Sequence, residues 1–195
     1  PWAACINLMD AHFPYHPLPE YDKWGGKDLQ KTHRETLGPY STTFLSDEKL
    51  WKLRAFEALY DGAIYQIDQY LERFIATLDE RGILDDTLLV ITSDHGEGFG
   101  ERSRIEPSVR LIDHSWGIDE ELVHVPLLVS EPGQQSSTVI DRPASLTEFP
   151  AVVRSALDDS ESQRTFVPEG NVITTTYTPN RSFPDSCDNP EDYQG

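Results

Sequence analysis

In residues 87–100, TLLVITSDHGEGFG, an apolar run ends on a short polar turn that holds Asp94, His95 and Glu97. A carboxylate beside an imidazole at the end of a strand is a usual way to grip a divalent cation. Asp94 is a hard anionic donor suited to Ca, Mg or Mn and acceptable to Zn, and the borderline imidazole of His95 supplies a second ligand. Two ligands do not close a coordination sphere, so further carboxylates are expected from elsewhere. Glu97 reads as an outer partner that holds His95 or a loop amide, not as a general base. Two more histidines stand in polar surroundings: His12 in Asp10-Ala11-His12-Phe13-Pro14 and His114 in His114-Ser115-Trp116-Gly117. An imidazole donates a hydrogen bond to an anionic oxygen and also titrates near neutrality, which is what general acid–base work requires.

These residues need elements to position them. Leu88, Leu89, Val90 and Ile91 form an unbroken apolar run, which suits a strand buried on both faces of a parallel sheet. Asp94 and His95 then emerge at its carboxyl edge, where open α/β sheets bind their substrates. Residues 2–8 are apolar enough for a second buried strand, which would bring His12 to the same edge. The following loop is broken by Pro14, Pro17 and Pro19, and residues 20–43 are a polar excursion. Within that excursion Lys23, Lys27, Lys31 and Arg34 form either a cationic rim or a solvated face.

Ser46 is the expected N-cap of a helix that runs toward Arg81 and ends at Gly82. Its apolar stripe, Tyr60, Ile64, Ile67, Leu71, Phe74 and Leu78, is expected to face the sheet, with a break or kink near Asp61-Gly62. Residues 101–113 read as an inserted loop, 124–130 as the next buried strand, 147–157 as a short helix and 172–177 as a strand. Residues 179–195 have little to bury and are expected to be poorly ordered.

Ser93-Asp94-His95-Gly96-Glu97 resembles the SDHGE signature of the sulfatases, within the alkaline phosphatase superfamily. The resemblance continues in order through MDAHFPYHP at 9–17, YDGAIYQID at 60–68, GILDDTLLVIT at 82–92 and HSWGIDEELVHVPLLV at 114–129. It implies an α/β fold of the alkaline phosphatase/sulfatase kind, a mostly parallel sheet flanked by helices. Residues 1–160 would be the C-terminal part of the catalytic domain, and 161–195 the start of a small antiparallel subdomain with a disordered tail. Catalytic domains of this kind are about twice this length. Neither Cys5 nor Cys187 begins the Cys-x-Pro-x-Arg pattern, nor is there a Ser-x-Pro-x-Arg, from which sulfatases make formylglycine. The chain therefore reads as an incomplete portion, inactive by itself, whose formylglycine nucleophile lies outside it.

The same resemblance assigns roles. Asp94 and His95 become metal ligands, with Ca first and Mn or Zn as alternatives. His12 would contact the sulfate or phosphate group and assist proton transfer. His114 would be a general acid at the leaving oxygen, although Ser115 replaces a family glycine. Glu120 and Glu121 match paired glutamates expected to orient the active-site loop, and His124 stands where the family has an arginine. The implied reaction is hydrolysis of a small-molecule or carbohydrate sulfate ester. The alternatives are a phosphodiesterase or phosphoethanolamine-type transferase of the same superfamily, or a non-catalytic remnant.

Composition bounds the partners. The net charge of −18, from 34 acidic against 16 basic residues, repels nucleic acid and anionic membrane. The acids are scattered, which favours a solvated acidic surface of the kind halophiles use. Two cysteines at opposite ends give no disulfide framework. No apolar run approaches the ~20 residues that span a bilayer and no secretory segment opens the chain, which leans toward the cytoplasm.

Overall fold

A computed structural model describes residues 2–35, 50–114, 117–157 and 165–175. The expected Ser46 cap and the 179–195 tail lie outside the described residues. The chain divides into two compact units: unit 1 comprises Pro1–Thr77, His95–His124 and Thr176–Gly195, and unit 2 comprises Leu78–Asp94 and Val125–Thr175.

Unit 1 is organised by two helices and a hairpin. α1 spans Lys27–Glu35 and α2 spans Leu50–Glu80, the latter contributing its residues up to Thr77 to this unit. Asp22 sets the approach to α1 by accepting from the Gly25 and Gly26 amides at 2.8 and 2.9 Å and from Gln30 Nε2 at 2.7 Å. α2 runs without the expected break at Gly62. Its glycine serves contact instead: a Cβ there would lie 3.0 Å from Pro17 Cγ, so the missing side chain lets the loop carrying His12 lie against the helix.

The buried face of α2 is rotated from the stripe read in the sequence. Leu53, Phe56, Leu59, Ala63 and Gln66 are buried, whereas Ile64 is exposed. Large apolar residues dominate a periodicity count, but here a small and a polar residue hold the inner positions, so the count misplaced the face. Tyr15, Leu53, Ala55, Phe56 and Leu59 form the core, with Phe13, Leu29, Tyr60, Phe99 and Ile112 packed around it. Each large side chain removed from water here contributes ~1.5–3 kcal/mol.

β2 (Gly98–Arg102) and β3 (Arg110–Asp113) pair antiparallel, with a register shift between Phe99 and Glu101. The inserted loop expected at 101–113 is therefore largely the return half of a hairpin. Its turn is held internally, since Ser103 N donates to Val109 O at 3.0 Å. α3, a single turn at Glu120–Val123, follows. The strand expected at 2–8 does not form; Trp2 and Ile6 are 64% and 61% exposed. An apolar run becomes a strand only when a ladder partner satisfies its amides, and none of the described strands pairs with it.

Unit 2 opens with the last turn of α2, closed by Gly82 at φ 65°. Gly82 N bonds Asp79 O at 2.8 Å and Ile83 N bonds Leu78 O at 3.1 Å, the paired bonds of a Schellman end. β1 (Leu89–Thr92) pairs antiparallel with β4 (Leu127–Ser130), matching Leu89 to Ser130 and Thr92 to Leu127. Among the described residues every strand pair is antiparallel, in two two-stranded sheets. β1 is half-buried and Leu128 is exposed, as an antiparallel ribbon with one wet face allows, where burial on both faces was expected. α4 (Phe149–Leu157) forms as the sequence indicates, entered through a 3-10 turn at Leu146–Glu148 whose Ser145 hydroxyl accepts from the Thr147 amide. Residues 171–175 have no regular structure, so the strand expected at 172–177 is absent from its described part. No helix among the described residues is long and apolar enough to cross a membrane.

Candidate active site

Three histidines separated by most of the chain meet in unit 1. The His95 and His114 rings stack, with centroids 3.9 Å apart and planes 25° from parallel. The His12 ring lies edge-on to His114 at 6.2 Å. The element that delivers each is distinct: the Pro-rich loop before α1 for His12, the turn before β2 for His95, and the end of β3 for His114. Asp94, the other expected metal ligand, is the last residue of its unit 2 segment and is exposed.

Two of the rings lie against a neighbouring backbone carbonyl. His12 Nδ1 lies 2.6 Å from Phe13 O, and His95 Nδ1 lies 2.7 Å from Gly96 O. A carbonyl oxygen only accepts, so both Nδ1 atoms carry hydrogen, and in the neutral ring Nε2 is the nitrogen with an acceptor lone pair. His114 is held differently. Its Nδ1 approaches Asp113 Oδ1 at 3.0 Å and Glu97 Oε2 at 3.3 Å, and the carboxylates of Asp113 and Glu97 push its pKa up to about 10. His114 is thus an imidazolium at neutral pH.

Glu97 was expected to serve His95 or a loop amide, and instead it faces His114. Its side chain is only 5% exposed, and its Oε1 has no hydrogen-bond partner among the described residues. A buried carboxylate this poorly bonded needs a cation close by, which the His114 imidazolium supplies. Its field, after burial, also raises the Tyr60 phenol above its usual range. Glu97, Asp113 and His114 each present a ligand atom within 4.8 Å of the others.

The loop that carries His95 is tied down by backbone. Gly96 N donates to Leu122 O at 2.8 Å, and a Cβ on Gly96 would fall 2.0 Å from Glu121 O. Only glycine fits there. Glu120 and Glu121 were expected to orient this loop; the hydrogen bond that holds it is instead accepted by Leu122 O, and the Glu120 side chain pairs at the surface with Arg104 at 3.3 Å.

Sequence reasoning passed over Asp113 and Asp119. Asp113 sits at φ 67°, unusual for a residue with a side chain, and its Oδ1 also accepts from the His114 amide at 2.5 Å. Asp119, 3% exposed, accepts from Ser103 Oγ at 2.8 Å and from Arg104 N at 2.6 Å, so it joins the hairpin turn to the start of α3. The signal was present: Asp at the N-cap position ahead of Glu120-Glu121 is a helix-start pattern. His124 is exposed at the end of α3, and His16 is exposed with its ring 5.2 Å from buried His33.

Comparison with known proteins gives a consistent result. The family model described as Sulfatase matches residues 1–158. The multifunctional alkaline phosphatase superfamily protein PehA of Trinickia caryophylli is 37% identical over 83 residues, which cover 43% of this chain and 15% of that protein. An arylsulfatase of Clostridium perfringens is 34% identical over 42% of this chain and 15% of its own length. The ulvan-active sulfatase of Formosa agariphila is 23% identical over 76% of this chain and 27% of its own length. The chain thus spans well under a third of the curated relatives it matches. No solved structure matches it.

Proposed function

The chain belongs to the sulfatase family, with the α/β fold that family implies, and we propose that it carries part of the active site of a metal-dependent sulfate-ester hydrolase. One observation carries this reading: His12, His95 and His114, far apart in sequence, converge in one unit. A structural role for any one of them does not call for the other two. The mostly parallel sheet, the completion of the domain and the formylglycine nucleophile belong to the same proposal, the nucleophile being supplied from outside residues 1–195.

Asp94 and His95 are the proposed metal ligands. The donor set fits: an imidazole whose Nδ1 hydrogen is taken by a backbone carbonyl offers Nε2 to a cation, the usual arrangement of a metal-bound histidine. A carboxylate with an imidazole accommodates Ca, Mn or Zn. A bound cation would supply Lewis-acid stabilisation of negative charge on the ester group. His12, with Nδ1 anchored on Phe13 O, offers Nε2 to an ester oxygen. His114, charged beside Asp113 and Glu97, is in the protonation state a donor to the leaving oxygen needs.

A second reading, phosphoryl-ester chemistry on the same residues, is favoured by the imidazole ligand, which suits Zn better than Ca. Sequencing the coding DNA on both sides of residues 1–195 and assaying the encoded protein on aryl sulfate and aryl phosphate separates the two. A Cys-x-Pro-x-Arg or Ser-x-Pro-x-Arg segment with sulfate turnover that Asp94→Ala or His12→Ala abolishes is the expected result. Turnover of phosphate esters alone would replace the sulfatase reading with the phosphoryl one.

A further inference from the structure

Gln66 is the one polar residue on the inner face of α2 among Leu53, Phe56, Leu59 and Ala63, and it is 4% exposed. A glutamine amide costs free energy to bury unless both of its ends are bonded. Both are, and to two points on one loop. Its Oε1 accepts from the Leu18 amide at 2.8 Å, and its Nε2 donates to the Asp10 carboxylate. His12 lies between those points, on a turn in which its own amide donates to Met9 O at 3.1 Å. Gly62, one helical turn before Gln66, is a close approach of α2 to Pro17. The loop is therefore pressed onto the helix at Gly62 and bonded to it at Gln66 through both of its feet.

We propose that Gln66 is a positioning residue that clamps the two ends of the 10–18 loop and so fixes where the His12 imidazole stands. The inference rests on the reading of His12 as an active-site group, but the clamp itself is a property of the folded chain. Polarity gives it direction. The amide must donate toward Asp10 and accept from Leu18, so carboxylate and amide have distinct places and are not interchangeable one at a time.

The test uses the 195-residue chain and three variants. Gln66→Leu removes both bonds at similar volume. Gln66→Glu keeps the acceptor for Leu18 but sets a second carboxylate against Asp10. Gln66→Glu combined with Asp10→Asn swaps amide and carboxylate, restoring a donor–acceptor pair with reversed polarity. Hydrogen exchange of the Leu18 amide and the imidazole resonances of His12, His95 and His114 are read by NMR.

The expected result is Leu18 exchange faster by about tenfold or more in Gln66→Leu, the cost of one lost hydrogen bond, and near its original rate in Gln66→Glu. The His12 resonances move in both single variants and return in the swapped pair, while those of His95 and His114 stay in place. A His12 signal indifferent to all three variants, or one that the swap fails to return, overturns the proposal. If a single variant does not fold, the swapped pair still decides, because a merely space-filling Gln66 would gain nothing from D10N. These readouts do not involve turnover, so loss of the sulfatase reading would leave them unchanged and would be recognised separately in the ester assay.

Discussion

Unit 1 and unit 2 bury very different things. Among the described residues, unit 2 buries Leu78, Val152 and Phe166 and leaves Leu128, Val139, Ile140 and Ile173 in water. Unit 1 closes a continuous aromatic and aliphatic core and also encloses His33, Gln66, Ser103 and Asp119. Polar groups are buried only where hydrogen bonds compensate their desolvation, and a chain maintains such networks where it must hold a particular geometry. The candidate histidines stand in the unit that does so. The lesson is that enclosed polar groups, more than strand content, mark the unit that holds the candidate histidines.

That contrast can be broken by substitution. Phe56→Ala is expected to cost ~3–5 kcal/mol in urea unfolding, since Phe56 is fully buried against His33 and Phe13. A smaller loss, about that of a surface change, would mean that the unit 1 core is loose. Asp119→Ala removes the acceptor for Ser103 Oγ and the Arg104 amide and is expected to cost ~1–3 kcal/mol, with faster exchange at the Arg104 amide as its local signature. In unit 2, Gly82→Ala forces a side chain into φ 65° and is expected to cost ~1 kcal/mol. Leu128→Ser, on the wet face of β4, should lie within about ±0.5 kcal/mol; a large loss there would show that unit 2 buries this face after all.

A pH series sharpens the same contrast from the electrostatic side. The His114 pKa rises from 6.5 to about 10 on folding, through Asp113 first and Glu97 second. A raised pKa contributes stability that is complete below 6.5, declines as pH climbs, and is gone above about 10. The contribution is a discounted one, because 33% of the His114 side chain is exposed. In chelator, the urea midpoint of the parent chain is expected to fall across that interval and that of Glu97→Gln to fall less. A parent midpoint that is flat or rises across it would remove the charged His114 from the description.

The three candidate histidines were legible as histidines in polar, Pro- and Gly-punctuated segments, and the structure brings their rings together; Asp94 was legible by its place after an apolar run. Gly82 and the 147–157 helix were legible because end signals and amphipathic spacing are local. What escaped depends on partners that periodicity does not see. The inner face of α2 is carried by Ala63 and Gln66, so a count of large apolar residues points elsewhere. The β2–β3 hairpin reads as a loop because Glu101, Arg102 and Arg110 occupy it, although Leu111 is fully buried. Strand direction at β1 is set by the return of β4, which the apolar run alone does not encode.

The face-to-face stack of His95 on His114, 3.9 Å between centroids, has a spectroscopic consequence. Each ring sits in the shielding cone of the other, so their carbon-bound protons resonate upfield of where the same ring, in the same charge state, would resonate unstacked. Anything that wedges between the rings or turns one of them sends both signals back downfield together, and the protein carries its own occupancy gauge without a label.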